Sequence, residues 1–487
     1  GPRRAYLPPQ EEEGPMTPRA PRRPARRPAA LAARLLAGAL LAVASAPAAP
    51  AEGARVPRDR AELALSFAPV VRAAAPAVVT ISARRVVNRP SPFAGDPFFE
   101  RFFGNFGGGR AERTALGSGV ILTSAGFVVS NHHVVGGAEE IRVTLADRRE
   151  FEAEMLLSDP ETDLAVLRLI GARDLPAVPL RETGTLEVGD LVLAIGNPFG
   201  VGQTVTSGIV SAVARTDPRG GYYIQTDAAI NPGNSGGALV DMEGRLVGVP
   251  TAILSRSGGS HGIGFAIPAE LVAQALAQAE AGGSRLARPW AGLTGQAVDG
   301  ATAEALGLRV PVGLLVTELH PDSPFAEAGL RRGDVLTEVA GGAVGSEAEL
   351  AFRLAAAGIG ATVEVGWLSG GAARAATLRL SAPPETPPRD PRRLGGRSLL
   401  AGLEVATLNP ALADELGAPP TASGVVVTGV TGRAVRAGFR PGDVIEAVNG
   451  AAVASSRELA RLADGLGRDL VVVLRRDGRR GEIRLRG

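Results

Sequence analysis

The sequence predicts a mainly β protein of several domains: antiparallel barrels or sandwiches, then two copies of a smaller β-rich unit. Three observations predict it. Short apolar runs bounded by turn residues follow one another from Gly117 to Val249, with almost no helical periodicity. In the C-terminal half the segment Ser323–Leu336 (SPFAEAGLRRGDVL) recurs as Gly432–Ile445 (GRAVRAGFRPGDVI). A chain of 487 residues is too long for one hydrophobic core and suggests about three domains.

Each element has its own signal. An apolar, β-rich run from Phe67 to Arg84 contains the strand-like Val78–Ser82. Residues 86–113 break the pattern with Pro, Gly and the cluster Phe98, Phe99, Phe102, Phe103 and Phe106. A loop of that length is functional or disordered, and its phenylalanines are expected to cover something. Strands are expected at 119–122, 126–129, 141–145, 164–169, 191–195 and 246–249. Pro268 to Ala281 is the one helix candidate there, with Leu271, Val272, Ala275, Leu276 and Ala279 on one face and Gly282-Gly283 to end it. The repeat period of about 109 residues is too long for a solenoid and fits two copies of a small domain. Pro383–Arg397 reads as an extended, mobile linker between them, and Gly333-Asp334 and Gly442-Asp443 as turn determinants.

Composition excludes several functions. All 52 basic residues are Arg, net charge is only +2, and much of the positive charge lies before residue 60, so no basic stripe for nucleic acid is expected through the folded region. Without Cys there is no thiol nucleophile, disulfide or Cys-ligated zinc. His132, His133, His261 and His320 make no metal set, because the first two are neighbours expected on opposite faces of a strand. No metal or other cofactor is expected, and without Lys no ATP-cradling P-loop can form. At the N-terminus Arg19, Arg22, Arg23, Arg26 and Arg27, an apolar core Leu35–Val43 and Ala49-Pro50-Ala51 read as an export signal, with Met16 a candidate start. An uncleaved anchor at the membrane surface is the alternative.

The chemistry centres on Asn231–Leu239 (NPGNSGGAL). A serine hydroxyl needs a base, and His133 ends the apolar run from Phe127. Asp163 is the preferred orienter because it opens a strand; Asp159, beside Pro160, is the competitor. The order His133, Asp163, Ser235 is that of chymotrypsin-like proteases. Gly233, Asn234 and Ser235 are the candidate oxyanion hole, with the amides of Gly233 and Ser235 expected to converge on the oxyanion.

On these residues the chain resembles the HtrA (DegP-like) family of secreted serine proteases over roughly residues 66–487. The marks are GSGVI from Gly117, SNHHVV around His133, DPETDLA from Asp159, IGNPFG from Ile195, QTDAAINPGNSGG from Gln225 and GFAIP from Gly264. The resemblance implies a chymotrypsin-like double β-barrel at 52–284 behind a leader at 1–51, a PDZ domain at 288–382, a linker at 383–398 and a second PDZ domain at 399–487. It implies that Ile253 and Ile263 line a pocket for small aliphatic residues, against ordinary core packing as the alternative. Arg215 matches a sensor-loop arginine, against a solvated surface arginine. Residues 98–106 resemble a loop that controls access to neighbouring active sites, and Pro250 replaces the asparagine usual before Thr-Ala-Ile. Ala291, Gly292 and Leu293, and likewise Ala401, Gly402 and Leu403, would receive the carboxylate of C-terminal peptides by strand addition. The expected function is ATP-independent endoproteolysis of misfolded exported polypeptides in the periplasm, by a homotrimer able to build larger cages. A holdase chaperone or peptide scaffold with secondary protease activity is the alternative.

Overall fold

The structure is a computed structural model describing residues 66–87, 111–182, 184–197, 202–216, 221–231, 233–253, 262–396, 398–465, 469–476 and 478–486. The leader at 1–51 and the Phe98–Phe106 cluster lie outside these residues.

The described chain opens with helix, not strand. Pro69 and Pro76 each sit in the first turn of a helical piece, where a missing N–H is harmless: α1 (Ala68–Ala74), then a 3-10 turn at Ala75–Ala77. The β-rich run expected from Phe67 therefore starts at Val78.

Six strands close the first barrel: β1 (Val78–Val87), β2 (Ala111–Ile121), β3 (Phe127–Asn131), β4 (Glu140–Thr144), β5 (Glu150–Asp159) and β6 (Leu164–Leu169). Their order is β1-β2-β3-β6-β5-β4, with β4 returning to β1 through Ile81↔Val143. Between β3 and β4 lies one helical turn, α2 (His132–Val135). A second six-stranded barrel follows: β7 (Leu191–Gly196), β8 (Thr204–Thr216), β9 (Tyr222–Thr226), β10 (Ala238–Val240), β11 (Leu246–Ile253) and β12 (Gly264–Pro268), closed by β10 on β7. Both barrels are mainly β as expected. Val128, Val129, Leu164–Leu167, Val192–Ile195 and Leu239 are all buried, and such burial on both faces explains why these runs read as continuous apolar stretches. Helix α3 (Ala269–Glu280) buries Leu271, Val272, Ala275 and Ala279, the face its spacing predicts.

The repeats are two separate sheets. The first comprises β13 (Leu293–Ala297), α4 (Gly300–Ala305), β14 (Leu314–Leu319), α5 (Pro324–Glu327), β15 (Val335–Val339), β16 (Gly342–Ala343), α6 (Glu347–Ala357), β17 (Thr362–Ser369) and β18 (Ala372–Arg379). The second comprises β19 (Arg392–Arg393), β20 (Leu403–Thr407), α7 (Pro410–Glu415), β21 (Val425–Val430), α8 (Gly432–Arg436), β22 (Val444–Val448), β23 (Ala451–Ala452), α9 (Ser456–Gly465), β24 (Asp469–Arg476) and β25 (Arg479–Arg486). Corresponding devices recur. Asp334 and Asp443 each accept the backbone N–H three residues earlier, from Arg331 and Arg440, at 2.9 Å. Asp299 and Asn409 each cap the helix that follows, a contribution of about 1 kcal/mol apiece.

The sheets differ at one edge. In the first, β13 pairs only with β14 among the described residues; in the second, the equivalent β20 lies between β21 and the extra strand β19. That strand comes from the stretch expected to be linker, so residues 389–394 are bonded into the second repeat instead of bridging freely.

Candidate active site

Asp163 organises the site. It occupies the left-handed region at φ 59°, a conformation Asp tolerates better than most residues. There its backbone carbonyl accepts from the His132 N–H at 2.9 Å and from Asn131 Nδ2 at 3.1 Å. Its carboxylate accepts from the His133 N–H (Oδ1, 2.9 Å), from the Thr251 hydroxyl (Oδ2, 2.5 Å) and, again at Oδ2, from His133 Nδ1 at 2.6 Å. Burial alone would push this carboxyl up, but the charge and hydrogen bond of His133, the Thr251 hydroxyl and the His133 amide hold it below the ordinary carboxylate range. The His133 ring is correspondingly fixed through Nδ1.

His132 and His133 are not on opposite faces of a strand. They begin α2, because the chain turns helical straight after the buried Asn131. The two rings still part company: His132 Nδ1 meets Ser158 Oγ at 2.6 Å, and burial lowers its pKa against the opposing pull of Asp163. Asp159 is excluded as orienter. It accepts from the Thr162 N–H and hydroxyl and pairs with Arg288 Nη2 at 2.5 Å, a turn cap with an ion pair.

Ser235 belongs to the second barrel, in the turn before β10, yet lies against the first. The Gly236 N–H donates to the Pro250 carbonyl at 3.0 Å, one residue before Thr251. A Cβ on Gly236 (φ 79°) would fall 2.3 Å from the Ser118 carbonyl, 2.5 Å from Ser130 Oγ and 3.2 Å from the Asn131 N. Only glycine permits this approach, which presses the serine turn onto the end of β3 just before α2. Ser118 ties the turn down from β2. Its N–H donates to the Ser235 carbonyl at 3.1 Å and its hydroxyl to the Gly233 carbonyl at 2.5 Å, while the hydroxyl accepts from the Asn197 N–H at 2.9 Å.

These bonds sort the candidate oxyanion donors. Gly233 takes φ 105°, open to glycine alone. Asn234 is a correction: its N–H donates to the Asn231 carbonyl at 2.9 Å and so is spent within the turn. Its carbonyl accepts from the Gly237 N–H, which turns the Ser235 N–H of the same peptide the opposite way. Among the described residues the amides of Gly233 and Ser235 meet no acceptor.

Other expected residues are placed by backbone. Ile253 pairs with Gly264 in the β11–β12 hairpin, beside half-buried Ile263, so the two isoleucines share one hairpin end. Arg215 lies on β8 opposite Tyr223. In the first repeat the Ala291 and Gly292 amides meet no acceptor among the described residues. In the second, Ala401, Gly402 and Leu403 donate to Ser398, Leu394 and Leu400, so this trio is not an open carboxylate nest. Thr251 and Ser118 were missed as site residues because their roles arise from contacts across 88 and 115 positions. The only signal was their place in the TAI and GSG marks. No cluster of His, Cys, Asp and Glu suited to a metal occurs among the described residues.

Comparison with known proteins follows the same outline. Residues 117–249 match the Trypsin-like peptidase domain and residues 315–365 a PDZ domain, which falls within the first repeat. The "Probable periplasmic serine endoprotease DegP-like" of Halomonas elongata is 39% identical over 430 residues, covering 84% of this chain and 90% of that protein. "Periplasmic serine endoprotease DegP" of Escherichia coli K12 is 36% identical over 428 residues, 82% and 87% of the two chains. The solved structure "HtrA-type protease AlgW with tripeptide" aligns with a TM-score of 0.50 at 39% identity, over 66% of this chain and 99% of that one.

Proposed function

Since the chain belongs to the DegP-like (HtrA) family of serine endoproteases, we propose that Ser235, His133 and Asp163 are its catalytic triad. His133 Nε2 takes the Ser235 proton as the hydroxyl attacks a peptide carbonyl, and returns it to the leaving amine; Asp163 holds the ring and favours the imidazolium. The amides of Gly233 and Ser235 receive the oxyanion, where one donor is worth roughly 3–4 kcal/mol. One observation carries this reading: the His133–Asp163 pair at 2.6 Å, joined through Thr251 and Pro250 to the turn that bears Ser235.

The finer readings rest on the same family. Substrates are unfolded or misfolded exported polypeptides, degraded without ATP in the periplasm and cut after small aliphatic residues in a pocket flanked by Ile253 and Ile263. Both repeats are PDZ modules, the first opening Ala291–Leu293 to C-terminal carboxylates. Regulation from the first repeat has a physical route. Tyr222 of β9 stacks on Phe352 of α6, with ring centroids 3.8 Å apart and planes 9° from parallel, and Arg215 lies on the neighbouring strand. No described helix is long and apolar enough to cross a membrane. Assembly as a homotrimer that builds larger cages completes the proposal, and sedimentation as a stable monomer would remove that part.

A fluorophosphonate probe together with casein digestion tests the site. Labelling and cleavage should both vanish in Ser235→Ala, and product ends should be Val, Ile or Ala. Labelling that survives Ser235→Ala rejects the nucleophile; product ends that are mostly charged reject the pocket.

A further inference from the structure

The segment before the second repeat lies where a peptide ligand would. Leu394 donates its N–H to the Leu403 carbonyl at 2.8 Å and accepts from the Gly402 N–H at 2.9 Å. Upstream, Arg393 pairs with Glu404 and Arg392 with Val405, antiparallel, and the Arg389 carbonyl accepts from the Thr407 N–H at 2.7 Å. This is strand addition to β20; the equivalent edge of β13 carries no such strand among the described residues, and its Gly295 N–H donates to the Glu347 carboxylate at 2.7 Å. Helix α9 closes the other side, with the Ser456 hydroxyl donating to the Asp390 carbonyl at 2.6 Å. The Leu394 side chain, 5% exposed, joins Leu400, Leu403 and Leu459 in the core. Beyond it, Gly395 and Gly396 (φ 70°) lead the chain away, where a free peptide would end in a carboxylate. A second anchor lies outside: Arg389 pairs with both Glu385 and Glu415 at 2.5–2.8 Å.

We propose that Arg389–Leu394 is a resident ligand of the second repeat, docked as a C-terminal peptide would be, and that it closes this groove until displaced. The proposal rests on the reading of this repeat as a PDZ module. Its sequence defines the competitor: an extended peptide with a free terminal Leu preceded by basic residues, for which Glu404 lies alongside. Intramolecular tethering gives the resident segment an effective concentration of order millimolar, so weak external peptides are excluded and tight ones are admitted.

The full-length Ser235→Ala protein, which cannot cut the probe, serves for the test. Because the chain has no Cys, an Arg393→Cys/Glu404→Cys pair reports the docked register alone. The disulfide should form in the folded protein without denaturant, and absence of the cross-link there overturns the proposal. Calorimetric titration with the hexapeptide Arg-Asp-Pro-Arg-Arg-Leu, free at its carboxylate, should find at most one site per chain. Leu394→Asp, or Arg389→Ala where the core must stay untouched, should add a second site or tighten it at least tenfold. Locking the cysteine pair should abolish that gain. Two sites on the unreleased chain would reject the closure while leaving the PDZ reading intact. A released segment that exposes no second site would reject the PDZ reading of this repeat, and the proposal with it.

Discussion

The two repeats share a motif and a strand order but spend their free surfaces differently. The first has no second strand on β13 among the described residues, only the Glu347 carboxylate on the Gly295 N–H, and sets Phe352 of α6 against Tyr222 of the protease barrel. The second covers the equivalent β20 edge with β19 and buries Leu394 in its own core. On the proposed reading the first repeat reports and the second holds still, and a sheet edge without a second strand is what separates them.

The contrast has meaning only above a floor set by the protease. Asp163→Asn should lower kcat by about 10⁴-fold, as loss of the orienting carboxylate does in such triads. No peptide on either repeat should then restore it; steady-state kinetics with and without peptide checks this. The same carboxylate sets an acid limit. Its pKa lies below the ordinary value, so its stabilisation is complete above about pH 4 and is lost as pH falls through the depressed value. Acid titration of wild type against Asp163→Asn should show this limb only in wild type.

Glycine swaps sharpen the comparison next. Gly292 (φ 63°) and Gly402 (φ 97°) occupy matching positions, and a Cβ would meet Ser323 Cβ at 2.8 Å in one and the Thr431 carbonyl at 2.1 Å in the other. Gly292→Val should weaken peptide binding by about tenfold or more, given roughly 1–2 kcal/mol of left-handed strain plus the clash. Gly402→Val should lower stability and leave the measured peptide affinity unchanged. Equal loss of affinity in both variants would break the distinction.

Phe352→Ala should destabilise the chain by about 3 kcal/mol in denaturant melts and reduce peptide stimulation several-fold, leaving peptide affinity within twofold. Smallest is Ser118→Thr, which keeps the hydroxyl that orients Gly233 and should retain most activity. Ser118→Ala, with two buried polar groups left unmatched, should lose about tenfold or more in kcat.

Local pattern carried much of this into the sequence. Barrel strands β1 to β4, β6, β7 and β11 were readable from β-branched runs between turns, α3 from its spacing, and the repeat from its copied Gly-Asp turn, whereas β5, β8, β9, β10 and β12 were not named. Helix α1 was not, because Ala, Pro and Val beside a true strand offer no period to choose between states. The proposed triad was named from the sequence too, since only a few side chains can carry such chemistry and their order along the chain is distinctive.

What folding alone decided is which groups remain available. Asn234, Ala401, Gly402 and Leu403 looked as open as Gly233 and Gly292; their amides are taken by carbonyls that the turn and the incoming segment supply. A sequence names donors and acceptors, but whether a backbone N–H is spent depends on which distant strand arrives beside it. That choice turns on burial and edge pairing over the whole domain, as with Arg392 against Val405 and Thr251 against Asp163.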